Sequence, residues 1–182
     1  MLKLSIFAIV SAGLIYVSRA SLAVPRSHGF YRFFAWESLL VLILLNIGYW
    51  FHDPFSIHQI VSWVLLIASI FPALCGFYLL RTIGKPDDRR EDAPMIEFEK
   101  TTTLVTVGIY KYIRHPLYAS LLGLTWGVFF KDPSWLSGIL ALAATTFLVA
   151  TAKMEEAENI RFFGPPYQAY MKQSKMFIPF LF

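Results

Sequence analysis

Two short clusters in this sequence combine residue types that do chemistry. Arg114-His115-Pro116 stands where a polar segment gives way to an uncharged apolar run, and Glu155-Glu156 stands just beyond the run that follows. Proline at the first position of a helix loses no hydrogen bond, because that N–H has no partner in the helix, so Pro116 marks a helix start. The unpaired N–H groups and dipole of such a start favour an anion, and Arg114 adds a fork of donors suited to a carboxylate or phosphate. An arginine and a histidine at a membrane boundary also serve simply by reaching toward lipid headgroups. Carboxylates near an apolar boundary are costly unless partnered, which suits Glu155 and Glu156 to a cation or to ribose hydroxyls; as a solvated helix end they need no ligand. Asn159 lies four residues past Glu155 and three past Glu156, so it shares a helical face with each. If the two clusters meet, one pole takes an anion and the other a cation or hydroxyls, which fits a zwitterionic ligand.

The elements that must bring them together are apolar. Of the 182 residues, 57% are hydrophobic and 15% charged, where soluble domains carry about 25% charged residues. A soluble globule, disorder, collagen and coiled coil are excluded on that ground, and the net charge of +4 is no signature of nucleic-acid binding. The single cysteine, Cys75, leaves no disulfide framework and no paired-cysteine metal site. His28, His52, His58 and His115 show no i, i+4 metal pair, and no Gly-x-Ser-x-Gly, P-loop or Gly-x-Gly-x-x-Gly occurs.

Five apolar stretches run along the chain: Leu4–Val17, Phe33–Phe51, Ile57–Leu80, Pro116–Phe130 and Trp135–Ala152. They predict an all-α fold, a polytopic membrane helix bundle of about five transmembrane helices. Residues 1–80 hold three spans; residues 81–182 hold a polar loop, a helical hairpin and a C-terminal helix that follows the break at Gly164-Pro165-Pro166. The charges from Arg89 to Glu99 read as a solvated loop over the membrane surface. With the N-terminus outside, 14 of the 16 Lys and Arg fall on the inner side and only Lys3 and Lys131 on the outer. Ser18-Arg19-Ala20 fits a signal-peptide cleavage pattern, but cleavage would place the basic loops outside, so the first stretch reads as an uncleaved span and the C-terminus as cytoplasmic.

Gly108-Ile109-Tyr110-Lys111-Tyr112-Ile113-Arg114-His115-Pro116-Leu117-Tyr118 resembles the Gly-x-Tyr…Arg-His-Pro-x-Tyr signature of the isoprenylcysteine carboxyl methyltransferase and phospholipid methyltransferase superfamily. Glu155-Glu156, Phe163-Gly164, Tyr167, Tyr170 and Ile178-Pro179 continue the likeness in order and spacing, from about Leu104 to Pro179. The resemblance implies an integral membrane enzyme that moves the methyl group of S-adenosylmethionine onto an O, N or S nucleophile of a lipophilic or membrane-associated acceptor. It implies the inner membrane in a prokaryote and the endoplasmic reticulum in a eukaryote. It puts Gly108 and Tyr110 beside the cofactor, His115, Leu117 and Tyr118 along it, and Glu155 and Glu156 on its ammonium or ribose, with Asn159 on the same face. Arg114 would orient an acceptor or the cofactor carboxylate. A carboxylate acceptor arrives ionised and needs only Arg114; an amine or thiol needs a base such as Glu155 or His115.

Two positions depart from the family pattern, Asn159 where leucine is usual and Pro165-Pro166 after Phe-Gly. They support a second reading, a non-catalytic membrane scaffold or lipid-binding protein that retains the fold. A transporter bundle is disfavoured, since Glu37 alone among charged residues lies inside a stretch.

Overall fold

A computed structural model describes residues 1–88, 90 and 94–181, and these form six α-helices. They are α1 (Leu2–Leu22), α2 (His28–Asn46), α3 (Ile57–Thr82), α4 (Pro116–Phe129), α5 (Trp135–Phe163) and α6 (Pro165–Gln173). Four of them, α1, α2, α3 and α5, are long and apolar enough to cross a membrane. α2 begins at His28, earlier than its apolar run, because the Ser27 hydroxyl accepts the Phe30 N–H at 3.2 Å and caps the helix there. α2 packs along α5 and α3 along α4, with α1 against α2.

α4 has 14 residues, about 21 Å at 1.5 Å per residue and short of the roughly 30 Å hydrocarbon core. Its last carbonyls therefore need partners, and neighbouring helices supply them. Ser62 Oγ donates to Gly127 O at 2.7 Å, Asn46 Nδ2 to Val128 O at 2.9 Å and Gln59 Nε2 to Lys131 O at 3.2 Å. Lys131, only 1% exposed, completes this end: its Nζ donates to Gln59 Oε1 at 3.0 Å and lies 3.7 Å from the centre of the Trp63 ring. A cation beside the C-terminal end of a helix is favoured by the dipole.

The hairpin of α4 and α5 forms as the sequence implies, and α5 ends at Gly164, whose φ of +65° turns the chain into α6. Beyond α6 the chain returns to the start of α4. Lys175 N–H donates to Tyr112 O at 2.9 Å, and the carbonyls of Lys175 and Met176 accept the N–H groups of Arg114 and His115 at 2.8 and 3.1 Å. Backbone donors just before α4 are thus taken by the chain itself.

The loop from Ile83 to His115 is not a solvated strap. Arg90 is 2% exposed and Glu99 points inward, its side chain 12% exposed, so charges read as surface residues are built into the interior. Of that stretch, Arg89 and residues 91–93 lie outside the described residues.

Candidate active site

The ends of α4 and α5 meet on one side of the bundle, and the loop folds over them. A cavity of about 700 Å³, its open mouth included, lies between these elements. Its depth follows from helix geometry. A Cβ on Gly76 would come 2.9 Å from Pro116 Cγ, so the cavity floor lies level with a point 19 residues, about 28 Å, along α3 from Ile57. With Ile57 at the opposite boundary and α3 along the membrane normal, a hydrocarbon core of roughly 30 Å would end near this level.

Arg114 and Glu156 meet directly. Arg114 Nε donates to Glu156 Oε1 at 2.6 Å, and Nη1 donates to the carbonyls of Met171, at 3.2 Å, and Ser174. His115 Nε2 lies 3.3 Å from the same Glu156 oxygen. The two poles that the sequence offered to a zwitterion therefore neutralise each other, and Arg114 ties the C-terminal segment to the start of α4. Glu156 is 7% exposed and stands behind the cavity wall.

Glu155 is different: it lines the cavity with 27% of its side chain exposed, and Tyr118 Oη donates to its Oε2 at 2.5 Å. Tyr110, His115, Leu117, Tyr118, Asn159 and Arg114 line the cavity as well. Asn159 Oδ1 accepts from Arg90 Nη2 at 2.8 Å, which fastens the loop to α5. Gly108 lies elsewhere, in an apolar groove on the far side of this wall, where its φ of +60° lets the backbone pass against Leu79. Burial, then the charge of Glu155, push the phenols of Tyr110 and Tyr167 well above their ordinary value, so both remain neutral hydrogen-bonding groups.

The opposite wall holds residues that sequence reasoning passed over. His28 Nδ1 lies 2.5 Å from Glu158 Oε2, its backbone N–H donates to Glu158 Oε1 at 3.1 Å, and its Nε2 lies 3.4 Å from Glu99 Oε2. Arg32 pairs with the other Glu99 oxygen. Burial alone would raise the Glu99 carboxyl, but Arg32, then His28, outweigh it and lower it to about 2. One signal was available: Glu158 follows Glu155 by three residues and so shares its helical face.

A family model described as phospholipid methyltransferase matches residues 57–165. The chain is similar to methanethiol S-methyltransferase 2 of Bradyrhizobium diazoefficiens, with 34% identity over 154 residues covering 80% of this chain and 58% of that protein. It is 26% identical over 123 residues to methanethiol S-methyltransferase of Pseudomonas deceptionensis, covering 66% and 43%. With protein-S-isoprenylcysteine O-methyltransferase of Schizosaccharomyces pombe it shares 34% over 83 residues, covering 45% and 35%. The chain spans about half the length of the first of these curated relatives. No solved structure matches.

Proposed function

Since the chain belongs to the phospholipid methyltransferase family, we propose that it is an integral membrane enzyme that transfers the methyl group of S-adenosylmethionine to a nucleophile of a lipophilic acceptor. The names of its relatives favour sulfur or oxygen as that nucleophile. The observation that carries the reading is the cavity at the end of the bundle, with a carboxylate and tyrosine rings on its wall at the depth where hydrocarbon would meet water. A donor from water and an acceptor from the bilayer can both reach such a place.

The wall residues fit the proposed donor. Its sulfonium and ammonium are cations, and Glu155 with the rings of Tyr110, Tyr118 and Tyr167 offers a carboxylate and π faces to them. When bound, the donor supplies an activated methyl group. Asn159 and the Glu155 oxygen that Tyr118 anchors would hold its ammonium or ribose, and Leu117 and His115 would pack along it. Arg114 and Glu156 support the site by fixing the C-terminal segment against α4. Catalysis then consists mostly of holding the reactants in line and keeping water out.

The orientation proposed with this function has the N-terminus outside and the cavity on the cytoplasmic side. The structure supports a common end for the two outer lysines: Lys3 Nζ donates to Leu45 O, at the α2 end opposite His28, and Lys131 closes the far end of α4.

The test uses purified protein in lipid nanodiscs with methyl-labelled S-adenosylmethionine and a membrane lipid extract. The expected result is label in an organic-soluble product with an equal amount of S-adenosylhomocysteine. Donor binding with no transfer would favour a scaffold that retains the fold.

A further inference from the structure

On the reading that this cavity transfers a methyl group, we propose that Tyr118 and Glu155 form a proton-accepting pair and that the acceptor is a thiol, which keeps its proton until attack, rather than a carboxylate.

The geometry around Glu155 is asymmetric. Tyr118 Oη donates to Oε2 at 2.5 Å, and His115 Nδ1 approaches the same oxygen at 3.9 Å. Among the described residues, no donor lies within hydrogen-bonding distance of Oε1. The His115 ring stacks on Tyr118, with 5.5 Å between centroids and 18° between planes, and fixes the phenol in place. Glu155 therefore presents one anchored oxygen and one that is available on the cavity wall.

Among the described residues, the basic groups that line the cavity are already paired. Arg114 is held by Glu156 and two carbonyls, His115 Nε2 by Glu156, and His28 by Glu158 and Glu99. A carboxylate acceptor would set a second negative charge beside Glu155 with no unengaged basic group on the wall, among the described residues, to offset the repulsion. A thiol arrives neutral, and Leu80, Leu104 and Leu117 offer apolar wall for its alkyl part.

In the step, the acceptor sulfur forms the S–C bond to the methyl carbon. The bond from that carbon to the sulfonium sulfur breaks, and its electron pair goes to that sulfur. The acceptor S–H proton passes to Glu155 Oε1. The products are a thioether, S-adenosylhomocysteine and a protonated Glu155, which returns its proton to water through its exposed edge. A cation and an anion enter the step and two neutral groups leave it, so no charge is left separated on the products. Tyr118 acts through Glu155 and is a positioning residue.

The test compares alkanethiols with alkanoates of the same chain length on purified protein in nanodiscs, with S-adenosylmethionine as donor and mass spectrometry as readout. Methyl thioether and no methyl ester is expected. Glu155→Gln lowers kcat for the alkanethiol by on the order of 10²–10⁴-fold, and by far less for an arenethiol that is already ionised at neutral pH. Tyr118→Phe shows the same bias in smaller measure; a merely structural role would slow both thiols alike. Binding gives a second readout. With S-adenosylhomocysteine bound, wild type takes the alkanethiol and rejects the alkanoate, and Glu155→Gln gains alkanoate affinity by about tenfold or more. Methyl ester formation, equal losses for the two thiols, or no product from protein that binds the donor would each overturn this assignment and leave methyl transfer standing. Absence of donor binding would overturn the underlying reading itself.

Discussion

Glu99 illustrates how much of this site depends on single charges placed far apart in sequence. Its carboxyl is lowered from 4.5 to about 2 in the folded chain. A carboxylate so depressed contributes stability that is fully present above its unfolded value and is lost as pH falls toward the folded one. We therefore expect the thermal midpoint of wild type to drop between about pH 5 and about pH 2, while Glu99→Gln starts lower and changes less. Fluorescence melts at stepped pH check this; parallel curves would show that the contact is not ionic. The same residues mark what the sequence could not show. Arg114 and Glu155 stand at boundaries between polar and apolar segments and carry a recognisable spacing. His28 and Glu158 are separated by 130 residues, and nothing local to either announces the other.

α4 is the element on which the site depends, and its position rests on close approach to α3. A Cβ on Gly127 would come 2.8 Å from Leu66 Cδ2, and one on Gly123 3.0 Å from Ser69 Cβ. Gly123 and Gly127 are four residues apart, the small-residue spacing that lets membrane helices pack closely. Gly127→Leu is expected to cost about 1–3 kcal/mol by overpacking and to lower the melting midpoint. Gly13→Leu and Gly48→Leu should cost far less, since nothing lies within 4 Å of a Cβ at either position. Equal losses at all three positions would contradict the packing account. The apolar runs, the proline start of α4 and the glycine end of α5 were legible because each is a local signal. The shortness of α4 was legible too, but its remedy was not: the side chains that satisfy its carbonyls come from α2 and α3, and no local pattern reveals that pairing.

For the whole molecule, the contacts put the cavity at one end of the bundle and Lys3 and Lys131 at the other. On the proposed orientation the cavity end faces the cytoplasm, the side to which the positive-inside rule assigns the basic loops. In a Cys75→Ser background, single cysteines at Asp53 and Asp132 are expected to label from the outside, and cysteines at Lys85 and Lys175 only after permeabilisation. Labelling of Lys85 and Lys175 from opposite sides would break the shared end that the cavity requires. The fold class follows from composition and periodicity, because burial in hydrocarbon demands long apolar helices. The inward turn of the loop at Arg90 and Glu99 does not, because its stabilisation comes from partners on α2 and α5.

The central claim is that this cavity binds the methyl donor, and calorimetric titration of S-adenosylmethionine and S-adenosylhomocysteine into purified wild type, Glu155→Gln and Tyr167→Ala tests it most directly. The account predicts saturable one-to-one binding of both ligands to wild type, weakened by at least about tenfold in each variant, the size expected for losing one charged or aromatic contact. Absence of binding to well-folded wild type, or binding that neither substitution affects, would contradict it.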